Sequence, residues 1–139
     1  MNKKIVVDSG PLIALFDKSD KNSPTALAFL KKNTSPLFTT LPVVTEVIYI
    51  LDFSIKAQSD FLEWISRGGL SIINLDHHDF SRIKDLMLKY QDLPMDFADG
   101  SLVAACEKIE SHFIATIDKD FEIYRFYDKK TFHNVFDMK

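Results

Sequence analysis

The chain has 139 residues, 46% of them hydrophobic and 27% charged, with a formal net charge of −3 and a single cysteine. That length suits one domain with its own core, read as residues 1–139. The composition excludes an intrachain disulfide framework and a strongly basic nucleic-acid-coating protein, and no apolar run is long enough to cross a bilayer.

The apolar run that follows Met-Asn-Lys-Lys is broken at Asp8 after three residues, so a signal peptide is not expected and a cytoplasmic location is. Ile5 to Val7 is β-branched and wholly apolar, which predicts a strand buried on both faces of a parallel sheet. Asp8-Ser9-Gly10-Pro11 ends it, and a helix is expected from Leu12 to Phe16. Ser23 reads as an N-cap with Pro24 behind it, opening a helix to about Lys32. Leu37 to Thr39 reads as a second strand, and Pro42 opens a helix that runs to about Phe53. Another helix is expected over Gln58 to Ser66, stopped by Gly68-Gly69, followed by a strand over Ser71 to Asn74. Asp76 caps a helix with Phe80, Ile83, Leu86, Met87 and Tyr90 at helical spacing. Asp96 to Ile109 is a further helix, Phe113 to Ile117 a late strand, and Thr131 to Phe136 an edge strand. Strands and helices alternate, with a paired-helix insertion, which argues an α/β sandwich on a mainly parallel sheet.

Four acids sit where a solvated carboxylate is not expected. Asp8 and Asp118 each end an apolar strand, at the edge of a parallel sheet where ligands bind. Each also fits a helix cap or a turn. Glu46 has Pro42, Val43, Tyr49 and Ile50 as same-face neighbours, so it projects from an apolar helix face. Asp99 heads the inward face of Leu102, Val103 and Cys106. Asp96, one turn earlier, reads as the N-cap, and Asp99 would complete a capping-box-like pair with it. Charged groups are costly to desolvate, so four acids gathered by the fold require protons or a cation. A hard divalent metal such as Mg2+ answers that need with oxygen ligands, and the chemistry is that of a phosphodiesterase.

Asp120 reads as an accessory ligand or a solvated turn residue, and Ser9 as a turn serine or a hydroxyl that holds a metal water. Gly10 permits the turn or a close approach of backbone to a ligand. His77 and His78 are adjacent and face different ways, and His112 and His133 lack partners at ligand spacing, so zinc is not expected. Cys106 reads as a small core residue. Basic residues available to a phosphodiester backbone are Lys56, Arg67, Lys119 and Arg125.

Four segments taken together resemble the PIN domain, and within it the VapC-like toxins of prokaryotic toxin–antitoxin pairs. They are Asp8-Ser9-Gly10-Pro11-Leu12, Glu46 in its apolar helix, Phe97-Ala98-Asp99-Gly100-Ser101-Leu102-Val103-Ala104, and Thr116-Ile117-Asp118-Lys119-Asp120-Phe121. The resemblance implies a three-layer α/β/α sandwich, a homodimer, and Mg2+- or Mn2+-dependent cleavage of RNA. It maps the family's four acids onto Asp8, Glu46, Asp99 and Asp118, its small hydroxyl residue onto Ser9, and its threonine onto Thr116. It also implies a small antitoxin protein that blocks the acidic pocket with an inserted basic side chain, most suitably Arg. Ser23 stands where many relatives carry histidine. The competing readings are an RNA-processing nuclease outside a toxin pair, a silent binding module, and a phosphoacceptor signalling domain. The last wants an acidic pair beside the first strand and a late lysine, where this chain has Ser9-Gly10 and Asp118.

Overall fold

The central strand is the first one. In the computed structural model, which describes residues 3–136, β1 (Ile5–Val7) is buried at every position. Successive strand residues face opposite sides of a sheet, so a strand buried throughout is covered on both. The chain continues through α1 (Ser9–Phe16), α2 (Ser23–Lys32), β2 (Leu37–Thr40), α3 (Leu41–Ile50), a 3-10 turn (Leu51–Phe53) and α4 (Ile55–Ser66). Then come β3 (Ser71–Ile73), α5 (His77–Lys89), α6 (Phe97–Lys108), β4 (Phe113–Ala115), a second 3-10 turn (Lys119–Glu122), β5 (Arg125–Phe126), β6 (Lys130–Thr131) and β7 (His133–Asn134).

The five-stranded sheet has the order β3-β2-β1-β4-β7, and each neighbouring pair is parallel. Ile5 pairs with Leu37 on one side and with Phe113 on the other. The chain therefore grows outward from β1 in both directions, and the carboxyl ends of β1 and β4 lie side by side at the point where strand order reverses. Open α/β sheets bind their ligands there. The α/β sandwich with a mainly parallel sheet is thus as expected, and among the described residues the one antiparallel pair is the β5–β6 hairpin.

Local boundaries moved for identifiable reasons. Helix α1 starts at Ser9 rather than Leu12, because the Asp8 carboxylate accepts the Ser9 N–H and Pro11 sits in the first turn, where no N–H is needed. Ser23 is not the cap of α2. Asn22 holds that position without a side-chain capping bond, and Ser23 is buried in the first turn. The helix expected to reach Phe53 ends at Ile50 and tightens into the 3-10 turn, and Ser54 caps α4 through the Ala57 N–H. The edge strand expected over Thr131 to Phe136 is divided: Lys130–Thr131 pairs with β5, and His133–Asn134 joins the sheet.

Helices α5 and α6 pack on one another, and α6 lies against β1 and β2. Gly100 allows the first contact, since a Cβ there would come within 2.9 Å of Ile83. A buried acid holds the C-terminal hairpin to this pair. Glu107 accepts two bonds from Arg82, at 2.9 and 2.8 Å, and the Tyr127 N–H at 2.8 Å. Arg82 and Lys89 also bind Asp128 in the same turn. Cys106 is fully buried and its thiol is pushed well above the ordinary range by burial, consistent with a core role. Among the described residues no helix is long and apolar enough to cross a membrane.

Candidate active site

Three elements deliver three carboxylates to one place. Asp8 follows β1, Asp99 lies in the first turn of α6, and Asp118 follows β4. One oxygen from each lies within 4.8 Å of the others. The carboxylates of Glu46, Asp96 and Asp120 fall outside that group. Glu46 reaches it through a hydroxyl: Ser9 Oγ donates to Glu46 Oε1 at 2.6 Å and lies 3.5 Å from Asp8 Oδ1. Ser9 is thus neither an idle turn residue nor free in solvent; it links the acid on α3 to the acid after β1.

Capping a turn and joining the carboxylate cluster, weighed as alternatives for Asp8 and Asp118, are geometrically compatible. Asp8 accepts the Ser9 N–H at 2.7 Å and Asp118 accepts the Asp120 N–H at 2.9 Å, so each organises the turn that carries it. Thr116 joins them. Its buried hydroxyl donates to Asp8 Oδ2 at 2.8 Å and accepts the Asp118 N–H at 2.9 Å. Gly10 lets α1 approach the same loop, since a Cβ there would stand 3.2 Å from the Ile117 side chain. Asp120 contributes its N–H to Asp118, and its own carboxylate stays half-exposed.

Asp96 caps α6 and accepts the Asp99 N–H at 2.8 Å, as expected of a rim residue. Asp99 does not close the box. Its carboxylate accepts instead from the hydroxyl of Tyr124, at 3.2 Å. The start of α6 is fixed from the sheet side by Ser101, whose hydroxyl donates to the Ala98 carbonyl at 2.6 Å and meets Thr40 Oγ1 at 2.7 Å. Tyr124 and Asn134 were missed in the sequence. Asn134 brackets Thr116, donating to its carbonyl at 3.0 Å and accepting its N–H at 3.2 Å. Neither has a distinctive spacing; the available signal was a tyrosine closing the mixed run Phe121-Glu122-Ile123-Tyr124 soon after Asp118.

The electrostatics are those of an uncompensated acidic centre. Among the described residues no lysine, arginine or histidine forms an ion pair with Asp8, Glu46, Asp99 or Asp118. Burial raises the pKa of Asp8 to about 6, and the charges of Asp118 and Glu46 add to the rise against the bonds from Ser9 and Thr116. Burial also raises Asp99, to about 8, with further upward pressure from Asp96, Asp8 and Asp118. Tyr124 is pushed well above its ordinary range by burial and by Asp99, so its hydroxyl remains a donor. Oxygen-only donors this close, with their charge unbalanced, fit a hard divalent cation better than zinc or copper.

The basic residues singled out for RNA are otherwise engaged or freely exposed. Lys56 pairs with Asp60, Arg67 with Glu63, and the Arg125 guanidinium donates to the carbonyls of Glu122, Ile123 and Tyr124. Lys119 is exposed beside Asp118. Glu46 and Asp96 also border an apolar groove of about 1000 Å³, walled by Leu41 and Tyr49 from α3 and by Phe80 and Phe97 opposite.

Comparison with known proteins bears on the family and the fold. A model of the PIN domain matches residues 5–127. Ribonuclease VapC26 of Mycobacterium tuberculosis (strain ATCC 25618 / H37Rv) is 20% identical over 117 residues, 83% of this chain and 87% of that protein. Among solved structures, the fold is similar to M. tuberculosis VapC20, described as a sarcin-ricin loop cleaving toxin, with a TM-score of 0.78 at 16% identity over 86% of this chain and 93% of that one. It is also similar to VapBC2 from Rickettsia felis bound to a promoter DNA fragment, with a TM-score of 0.57 at 14% identity over 86% and 92% of the two chains. With the family model spanning four of the five strands of the sheet, the helices α1 to α6 and the acids Asp8, Glu46, Asp99 and Asp118, the chain belongs to the PIN domain family.

Proposed function

We propose that this protein is a metal-dependent endoribonuclease and the toxin of a toxin–antitoxin pair. The observation that carries the reading is the cluster of Asp8, Asp99 and Asp118, with oxygens within 4.8 Å and no cationic partner among the described residues. Membership of the PIN family and likeness to VapC ribonucleases support it. RNA as the substrate places its work in the cytoplasm.

The same three acids would hold Mg2+ or Mn2+. Bound there, the ion would supply Lewis acidity toward a phosphodiester oxygen and would lower the pKa of a water. The chain's residues do the rest. Thr116 holds Oδ2 of Asp8 and the Ser9 N–H holds Oδ1, so the carboxylate is oriented from both sides, and the Ser9 hydroxyl holds Glu46 at the edge of the cluster, where its carboxylate orients a water or accepts its proton. Asp96 and Asp120 act on the backbone that carries Asp99 and Asp118. Lys119, exposed and next to Asp118 in the chain, is the one of the four basic residues beside an acid of the cluster and the first candidate to meet an RNA phosphate.

We assign a homodimer to the exposed apolar residues Leu41, Tyr49, Ile50 and Phe53 on α3 and the turn after it. The unbalanced acids also suit a small antitoxin that inserts an arginine, which would pair with the carboxylates in place of the metal. Titrating purified protein with Mn2+ and with RNA tests the core of the reading: cleavage should require the metal and be lost in Asp8→Asn. Expression of the wild-type chain alone should arrest growth, and the Asp8→Asn chain should not. Normal growth with abundant, metal-competent wild-type protein would favour a nuclease outside a toxin pair.

A further inference from the structure

Asp99 is held at both ends. Its backbone N–H bonds Asp96 at the cap of α6, and its carboxylate accepts from Tyr124 at 3.2 Å. Tyr124 comes from a different part of the chain, just beyond the 3-10 turn that Asp118 caps, and its side chain is completely buried. Two rings grip it edge-on, Tyr90 at 5.0 Å and Phe121 at 4.9 Å between centroids. The hairpin that follows is clamped to α5 and α6 by Arg82 and Glu107 through Tyr127 and Asp128. A buried hydroxyl is costly unless it is bonded, and phenylalanine would fill the same volume without that need. The hydroxyl's partner is one of the three clustered carboxylates.

We propose that Tyr124 is a positioning residue for Asp99, setting the orientation in which its carboxylate meets a divalent cation. The terminal torsion of an aspartate is broad, so the backbone bond to Asp96 alone does not fix where its oxygens point. A donor on a locked ring removes that freedom: it occupies one lone pair of Oδ2 and leaves the remaining acceptor positions for the cation. Groups that orient metal-binding side chains in this way are worth roughly 10–100-fold in metal affinity. A neutral donor at 3.2 Å belongs at the lower end. The inference rests on the metal-centre reading above and extends it to a residue outside the acids.

The test is a Mn2+ titration of the metal-free full chain, with free ion followed by electron paramagnetic resonance. Tyr124→Phe keeps the ring and should weaken Mn2+ binding about tenfold. With RNA, the same variant should lose kcat at sub-saturating metal, keep its KM, and recover as Mn2+ is raised. Phe121→Leu is the companion variant. It loosens the packing around Tyr124 and spares the hydroxyl, so it should lower Tm and keep the wild-type affinity for Mn2+. Equal affinity in wild type and Tyr124→Phe would overturn the proposal, and so would an equal loss in Phe121→Leu, which would make packing the cause. Wild-type protein that binds Mn2+ but cleaves no RNA would overturn the nuclease reading alone; a tenfold loss in Tyr124→Phe would still support the positioning role.

Discussion

Two helices of this molecule begin on the same pattern, Asp76-His77-His78-Asp79 at α5 and Asp96-Phe97-Ala98-Asp99 at α6. In each, the first aspartate is the N-cap and accepts the N–H three residues on, at 3.2 Å from Asp79 and 2.8 Å from Asp99. The second aspartates then part company. Asp79 turns back to accept the Asp76 N–H at 2.8 Å, and Lys108 balances its charge at 2.8 Å. Asp99 turns inward to Tyr124 and to the oxygens of Asp8 and Asp118, with no cation beside it among the described residues. Four residues of local sequence decide where a helix starts. What the second acid does is decided by chain that arrives from elsewhere: Lys108 in one case, the ends of β1 and β4 in the other.

The largest expected break between the two starts is in catalysis. Asp99→Asn keeps the shape and removes the charge, so RNA cleavage should fall by more than the roughly 100-fold that bounds loss of an orienting group. Asp79→Ala should leave cleavage unchanged. Purified variants assayed with Mn2+ and a labelled RNA give the comparison directly. Equal cleavage by Asp99→Asn and wild type would reduce Asp99 to a second cap residue and remove the site assignment with it.

Much of this contrast was legible in the sequence, and the limit is instructive. Asp8 and Asp118 could be found because an acid that ends a buried parallel strand is forced to the edge where ligands bind. Asp99 could be singled out because its helix face continues into Leu102, Val103 and Cys106, all buried. The reading nevertheless gave Asp99 a share in a capping box, since the spacing at α5 and α6 is identical and nothing local separates them. Tyr124 and Asn134 were out of reach for a related reason. Their roles come from contacts 25 and 18 residues away in the chain, to Asp99 and Thr116, and carry no periodicity. The same holds for Arg82 and Glu107, 25 residues apart, which pair only because α5 packs on α6.

The pH dependence of stability should carry opposite signs at the two starts. In the metal-free protein Asp8 and Asp99 titrate at about 6 and about 8 when folded, against 3.8 for an unperturbed aspartate. The folded state then binds more protons than the unfolded one. The stability these groups contribute is fully present below pH 3.8 and is lost as pH rises through about 6 and then about 8. For Asp8 the loss is on the order of 3 kcal/mol. Asp76 behaves in the other sense. The Asp79 N–H, and after it Lys108, hold its carboxyl below 3.8, so its contribution is present above that value and lost as pH falls through the lowered one. Melting in EDTA should therefore show Tm falling between pH 5 and 9, and Mn2+ should restore most of the loss at the upper end. A flat profile in EDTA would mean the acids are not desolvated together.

Removing the second acid should also move stability in opposite directions. Asp79→Ala deletes the return bond of the capping box and a partner of Lys108, and should cost about 1 kcal/mol. Asp99→Asn in metal-free protein relieves repulsion from Asp8, Asp96 and Asp118, and its Tm at neutral pH should equal or exceed that of wild type. Chemical denaturation of both variants in EDTA reads the two signs side by side. A marked loss in Asp99→Asn would identify the carboxylate as a structural cap after all.

The smallest effect belongs to the cation that separates the two environments. Lys108 Nζ lies 2.8 Å from Asp79 and 3.4 Å from Asp76, and it also donates to the Asn74 carbonyl at 2.8 Å. Its side chain is about one-third exposed at 35%, so solvent screens the pair and its net contribution should be small. Lys108→Met keeps the length of the side chain and removes the charge. The Asp76–Asp79 box survives, because its bonds are to backbone N–H groups. Tm at low salt should fall by only about 2–4 °C, and the difference from wild type should narrow in high salt as the lost pair is screened. Mn2+ affinity and RNA cleavage should not change, because the groups that chiefly shift Asp8 and Asp99 are burial and the carboxylates and donors of the cluster itself. A shift in Mn2+ affinity on Lys108→Met would show that the two helix starts share one electrostatic field, and the acids of α5 would then have to be counted with the site.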